Sequence, residues 1–308
     1  MITAIYKKAT ALSYIVSLII LYLVINQHSQ AWSPSPVALG QKLAIFFLFA
    51  LCLFAIDWIV KQQYWASQGN YHLFVFVMGI FSLPKLPVEN WITLYFFLLW
   101  VAYIHLLNAC QSDNEVRGLF NAGFLLFLGS FFFPEGIVLF PIVWVILLIH
   151  GAISTQTLTI TLLPLFALLL LEVFLVELLP GFYLFPGLEA SNIRLTSPWK
   201  QSIIDNFWWG SMLILFFLAI IRHNIDINSK GASYRAGMLS LIALGLTGIL
   251  VALFFAHLSP LAWLLFIMVL ATISSRFFEE IKRVWISELL FLVYIAGILL
   301  SKTRLFFF

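Results

Sequence analysis

Eight ionisable side chains interrupt otherwise apolar sequence: Asp57, His105, Glu135, His150, Glu172, Glu177, Asp205 and Glu288. A charge held at membrane depth is costly, so each is a candidate for function by default. Asp57 precedes Lys61 by four residues, the spacing at which one helix face brings an acid and a base together, and the two are expected to pair. Glu288 lies a turn inside the end of its segment, near Arg283 and Trp285, and has the same structural reading. Glu172 is the deepest. It precedes Glu177 by five residues, so the two carboxylates project from different faces of one helix. The states open to Glu172 are a protonated carboxyl, a wet cavity, or a contact with His105 or another polar group on a neighbouring helix. His105, Glu135 and Glu172 are therefore the intramembrane polar candidates.

None of these residues falls in a catalytic pattern. The chain has no phosphate-binding glycine loop ending in Lys-Ser or Lys-Thr, no Gly-x-Ser-x-Gly elbow and no His-Glu-x-x-His zinc motif. Haem ligation by His105 and His150 lacks a second pair of ligands. Cys52 and Cys110 lie in or at the end of apolar runs and read as small buried hydrophobes. The expectation is no catalytic residue, no metal and no cofactor.

The richest polar segment is the longest loop, 180–203, which with its flank brings Glu189, Arg194, Lys200 and Asp205 together with Tyr183, Phe185 and Trp199. Arg194 and Lys200 are of the type that holds lipid phosphate, and Trp199 of the type that anchors a segment at the headgroup level. These three residues are the candidate lipid-phosphate contact, with an ordinary interfacial loop as the alternative.

The elements that must position these side chains follow from composition. Hydrophobic residues make up 63% of the chain, charged residues 9%, and the mean hydropathy is +1.06. A soluble domain carries about 25% charged residues, so this chain cannot cover a water-facing surface. Runs such as 162–179 recur from end to end, and in lipid only a helix satisfies its own backbone. The sequence predicts an all-α integral membrane protein, one transmembrane domain over 1–308 with no soluble domain. Expected spans lie near 9–26, 42–60, 72–84, 90–110, 117–133, 136–152, 157–179, 203–221, 236–257, 259–276 and 284–301, a bundle of eleven. The third is short enough to be re-entrant or tilted, and Pro134-Glu135-Gly136 reads as a tight hairpin between the fifth and sixth.

Orientation follows from the cations. With the N-terminus inside, Lys7, Lys8, Lys61, Arg117, Arg222, Lys230, Arg235, Arg276, Lys282 and Arg283 are cytoplasmic, while Lys42, Lys85, Arg194, Lys200, Lys302 and Arg304 are outside. Ten against six favours a cytoplasmic N-terminus and an outside C-terminus. Tryptophans near predicted span ends, among them Trp58, Trp91 and Trp285, form the expected interfacial belt, whereas Trp100 and Trp144 sit mid-span as packing residues. Gly248, Ala252 and Ala256 repeat every four residues and make a small-residue ridge for close helix packing inside the bundle. No basic cluster supports nucleic-acid binding.

The stretch 121–149, NAGFLLFLGSFFFPEGIVLFPIVWVILLI, resembles the helix pair of integral-membrane glycosyltransferases that use polyprenol-linked sugars. It also resembles a family of small hydrophobic multi-pass inner-membrane proteins of Bacteroidota, sharing the Asn-Ala-Gly-Phe start and the Phe-Pro turn. The first resemblance implies a catalytic acid in the first outer loop. Here that loop, 26–41, holds no Asp or Glu, and His28 is its titratable side chain. The resulting expectation is a non-catalytic inner-membrane subunit or scaffold of a bacterial envelope assembly, with membrane lipids and other membrane proteins as partners. The alternatives are a polyprenol-sugar enzyme with Glu135 or Glu189 as base, and a small transporter or flippase.

Overall fold

A computed structural model describes residues 5–8, 10–28, 36–63, 69–83, 90–111, 115–178, 207–226, 231–254, 259–281 and 284–305. Among the described residues there are eleven α-helices, one 3-10 helix and no strand. The helices are α1 (Ala11–His28), α2 (Pro36–Gln62), α3 (Tyr71–Ser82), α4 (Asn90–Gln111), α5 (Glu115–Phe132), α6 (Pro141–Ile149), α7 (Thr155–Leu178), α8 (Phe207–Asp226), α9 (Ala232–Phe254), α10 (Ser259–Glu280) and α11 (Val284–Leu305). Five of them, within α2, α4, α5, α9 and α10, are long and apolar enough to cross a membrane.

Two helices form the centre. Every residue of α3 from Tyr71 to Ile80 is buried, because α10, α1, α11 and α2 pack around it. In α10 every residue from Leu264 to Ser275 is buried between α3, α8 and α9. A helix apolar on every face is what such a position demands. Gly79 lets the two central helices touch: a Cβ there would lie 2.5 Å from Ile267 Cγ2. Gly248 does the same for α9 and α10, since a Cβ would lie 3.0 Å from the Ala262 carbonyl oxygen. The ridge on α9 thus faces inward at Gly248; Ala256 lies outside the described residues.

The expected sixth span differs most. The turn after α5 is a 3-10 helix, Pro134–Leu139, with Pro134 in its first turn, and Pro141 begins the nine-residue α6. Proline fits a first turn because its missing N–H would have no helical partner there, so each proline starts a segment and prevents one continuous helix. Tyr95 secures this unit by donating its hydroxyl to the Gly136 carbonyl at 2.6 Å. At the far end Gly151, at φ +68°, closes α6: its N–H bonds the Leu148 carbonyl at 3.0 Å and the Ala152 N–H bonds that of Leu147 at 2.9 Å. Ser154 then caps α7, exchanging hydrogen bonds with Thr157 at 3.1 and 2.8 Å.

Candidate functional site

One connected cluster of polar side chains lies at one end of the bundle. Asp57, near the C-terminal end of α2, is their hub. Its Oδ2 accepts from the Tyr14 hydroxyl at 2.6 Å and from Lys61 Nζ at 2.8 Å, and its Oδ1 faces His72 Nε2 at 3.0 Å. Lys61 also donates to the Tyr14 hydroxyl at 2.7 Å and lies 5.3 Å from the centre of that ring. On the other side of the imidazole, His72 Nδ1 meets Ser275 Oγ of α10 at 3.1 Å. The sequence therefore brings four helices to one carboxylate: Tyr14 from α1, Asp57 and Lys61 from α2, His72 from α3 and, through the imidazole, Ser275 from α10.

The cluster is graded from surface to core. The Lys61 side chain is 44% exposed, that of Asp57 13%, and that of His72 0%. Ser275 is also fully buried. A carboxylate this enclosed is tolerated because each donor around it replaces lost hydration. Since Asp57 only accepts when ionised, the His72 nitrogen that faces it must carry a proton.

A second layer closes the same end. Asn70 Nδ2 donates to Ser13 Oγ at 2.8 Å, and the Asn70 N–H bonds the Tyr6 carbonyl at 2.8 Å. The Tyr6 hydroxyl contacts Ser17 Oγ at 3.1 Å. Burial raises the pKa of the Tyr6 phenol above its ordinary value, and the Ser17 bond offsets part of that rise. Glu279 accepts the Gly69 N–H, while Glu280 takes Arg276 at 2.6 Å and Arg222 at 3.2 Å. Arg276 in turn lies 5.1 Å from the Tyr234 ring centre.

These contacts gather the described cations assigned to the inner face. Gln62 reaches Asn108 at 3.4 Å, Gln63 and Gln111 exchange bonds of 3.1 Å, and Gly118 packs against Ala109. Lys7, Lys8, Lys61, Arg117, Arg222, Arg235 and Arg276 consequently lie at or next to one end of the bundle. Lys230, Lys282 and Arg283 lie outside the described residues. Trp58 and Trp285 are exposed, as is Trp91, which stacks on Phe132 toward the opposite end; Trp100 is buried and Trp144 half-buried, as packing residues would be.

The residues singled out from sequence are placed unevenly. The Asp57–Lys61 pair forms. His105 is half-buried on α4. Glu135 lies in the 3-10 helix and Glu172 in the second half of α7, and the placement of neither side chain is described. Arg194, Trp199 and Lys200 lie outside the described residues. Cys52 is buried and Cys110 half-buried, and both are free thiols. His72, the imidazole at the centre of the cluster, escaped the sequence reading. The signal present was a histidine at the start of a short apolar run, eleven residues after Lys61.

Large apolar side chains cover the outside. Leu170 is 71% exposed, Ile214 63% and Leu250 54%, with Leu12, Ile19, Phe47, Phe166 and Leu292 similarly bare. Buried polar residues such as Ser13, Ser17, Thr161, Ser240 and Thr272 lie inside. The cleft between α4, α5, α6 and α9, lined by Leu99, Tyr103, Leu126, Ile146 and Leu244, is apolar and contains no residue of the Asp57 cluster. Among the described residues no group of three or more His, Cys, Asp or Glu is placed to hold a metal ion. Fold and site together define an all-helical protein with an apolar exterior and a polar cluster at one end. The chain matches no family model, no characterised protein and no solved structure.

Proposed function

We propose that the chain is a multi-pass subunit or scaffold of the bacterial inner membrane, part of a larger envelope assembly and without catalysis of its own. Its N-terminus is cytoplasmic and its C-terminus outside. The observation that supports this most is the inversion of ordinary polarity: Leu, Ile and Phe on the exterior, hydroxyls, an imidazole and a carboxylate within. Soluble monomers rarely bare contiguous apolar surface on this scale, whereas lipid tails and neighbouring transmembrane helices cover it without cost. The gathering of seven cations toward one end supports that end as cytoplasmic. The Asp57 cluster fits a scaffold because its members satisfy one another and fix α1, α2, α3 and α10 in one arrangement.

Purification in mild detergent followed by mass spectrometry tests the reading. Stoichiometric membrane-protein partners are expected, and a protein recovered alone with a tightly held polyprenyl phosphate would replace the scaffold with the glycosyltransferase-like enzyme. A small transporter or flippase is the second reading. The Asp57–His72 pair and the buried twelve-residue α3 favour it, since transporters place paired charges and short helices in their centre.

A further inference from the structure

We infer that His72 is a proton-binding site, an imidazole set to hold either one ring proton or two while its neighbours keep their positions. The argument is geometric. Nε2 lies 3.0 Å from Asp57 Oδ1 and keeps its proton in both states, donating to the carboxylate. Nδ1 lies 3.1 Å from Ser275 Oγ, and a hydroxyl serves either role. With Nδ1 bare, the Ser275 hydroxyl donates to it. With Nδ1 protonated, the hydroxyl turns about its Cβ–Oγ bond and accepts. The added proton comes from water, no covalent bond between heavy atoms changes, and the charge of the site rises by one. Each state satisfies both ring nitrogens, whereas a histidine facing a methyl group or a backbone N–H would favour one state only.

The surroundings fit that exchange. The groups facing the imidazole are Asp57 and, behind it, Lys61 from α2, Tyr14 from α1 through its bond to Asp57, and Ser275 from α10. Glu279 of α10 adds a second negative charge nearby. α11 carries two titratable groups on its first three turns, Glu288 and Tyr294, and the Tyr294 hydroxyl donates to the Val75 carbonyl at 3.3 Å. The imidazolium thus has one carboxylate in contact, with one ammonium beyond it, and Asp57 itself reaches the exposed end of the bundle. A proton bound there alters the charge at the joint between α2, α3 and α10, whether the protein is a subunit or a transporter.

The test is nuclear magnetic resonance of the full chain, labelled with 15N-histidine, in lipid nanodiscs. His72→Gln identifies the His72 signals by their loss. If that variant does not fold, Ser275→Ala identifies them, because it changes the partner of Nδ1. From about pH 9 down to about pH 4, the range in which imidazoles titrate, Nδ1 is expected to pass from bare to protonated while Nε2 stays protonated. Asp57→Asn is expected to remove the doubly protonated form across that range; where this variant does not accumulate, the wild-type titration decides alone. One protonation state throughout, a bare Nε2, or a titration indifferent to Asp57→Asn would overturn the inference.

Discussion

Asp57 on α2 and His72 on α3 meet at 3.0 Å, the imidazole fully buried and the carboxylate shared with Tyr14 and Lys61. Removing the carboxylate leaves the His72 and Tyr14 donors without their acceptor, while Lys61 keeps the Tyr14 hydroxyl. A hydrogen bond to a charged group is worth about 1.5–3 kcal/mol, and the half-exposed Lys61 adds little to that. Asp57→Ala is expected to lose that order of stability, and Asp57→Asn less, because its amide oxygen still accepts. Reversible unfolding in mixed micelles measures both. Equal and negligible losses would mean that the cluster does not hold the four helices.

The contact between α3 and α10 gives a sign-reversing pair. A Cβ at Gly79 meets Ile267 Cγ2 at 2.5 Å, so Gly79→Val overpacks the centre and is expected to cost about 1–3 kcal/mol. At Gly40 on α2 nothing lies within 4 Å of the same atom. Gly40→Ala is expected to stabilise by about 0.5–1 kcal/mol, through helix propensity alone. The same unfolding assay reads both, and a stabilising Gly79→Val would contradict the central packing.

Helix positions were legible because long apolar runs stand out, and so does the break at Pro134-Glu135-Gly136, whereas the end of α6 at Gly151 was not read, since the expected span ran through it to 152. The Asp57–Lys61 pair was legible too, as i and i+4 on one helix. His72 was not. Its partners lie fifteen residues before it and 203 residues after it, and separations of that kind leave no local pattern. The interruption after Phe133 was visible as a turn, but not as a 3-10 helix, because the proline spacing permits either.

Sidedness is tested by labelling. Ser229→Cys, between Arg222 and Arg235, should be protected from an impermeant thiol reagent in intact cells, and Ser191→Cys should react. Labelling at the first position would invert the proposed orientation from that loop onward.

The outer-loop cations separate subunit from enzyme. If Arg194 and Lys200 lie on lipid headgroups, each contributes about 1 kcal/mol, and changing both to Ala should leave partner recovery nearly unchanged. A gripped pyrophosphate would lose about 1.5–3 kcal/mol per contact. A collapse of function by two to four orders of magnitude (from that same estimate) with normal abundance would favour the polyprenol-linked substrate.

The proposed membrane location rests on the apolar exterior, and spin labels test it directly. Nitroxides at Leu170, Ile214 and Leu250, all exposed apolar positions, and at Val75 and Met268, both buried, would be read in proteoliposomes for collisions with oxygen and with a water-soluble nickel chelate. Oxygen concentrates in lipid and the chelate in water. The account predicts high oxygen and low nickel accessibility at the three exposed sites, and low accessibility to both at the two buried ones. High nickel accessibility at Leu170, Ile214 and Leu250 would place that surface in water and contradict the membrane-embedded reading.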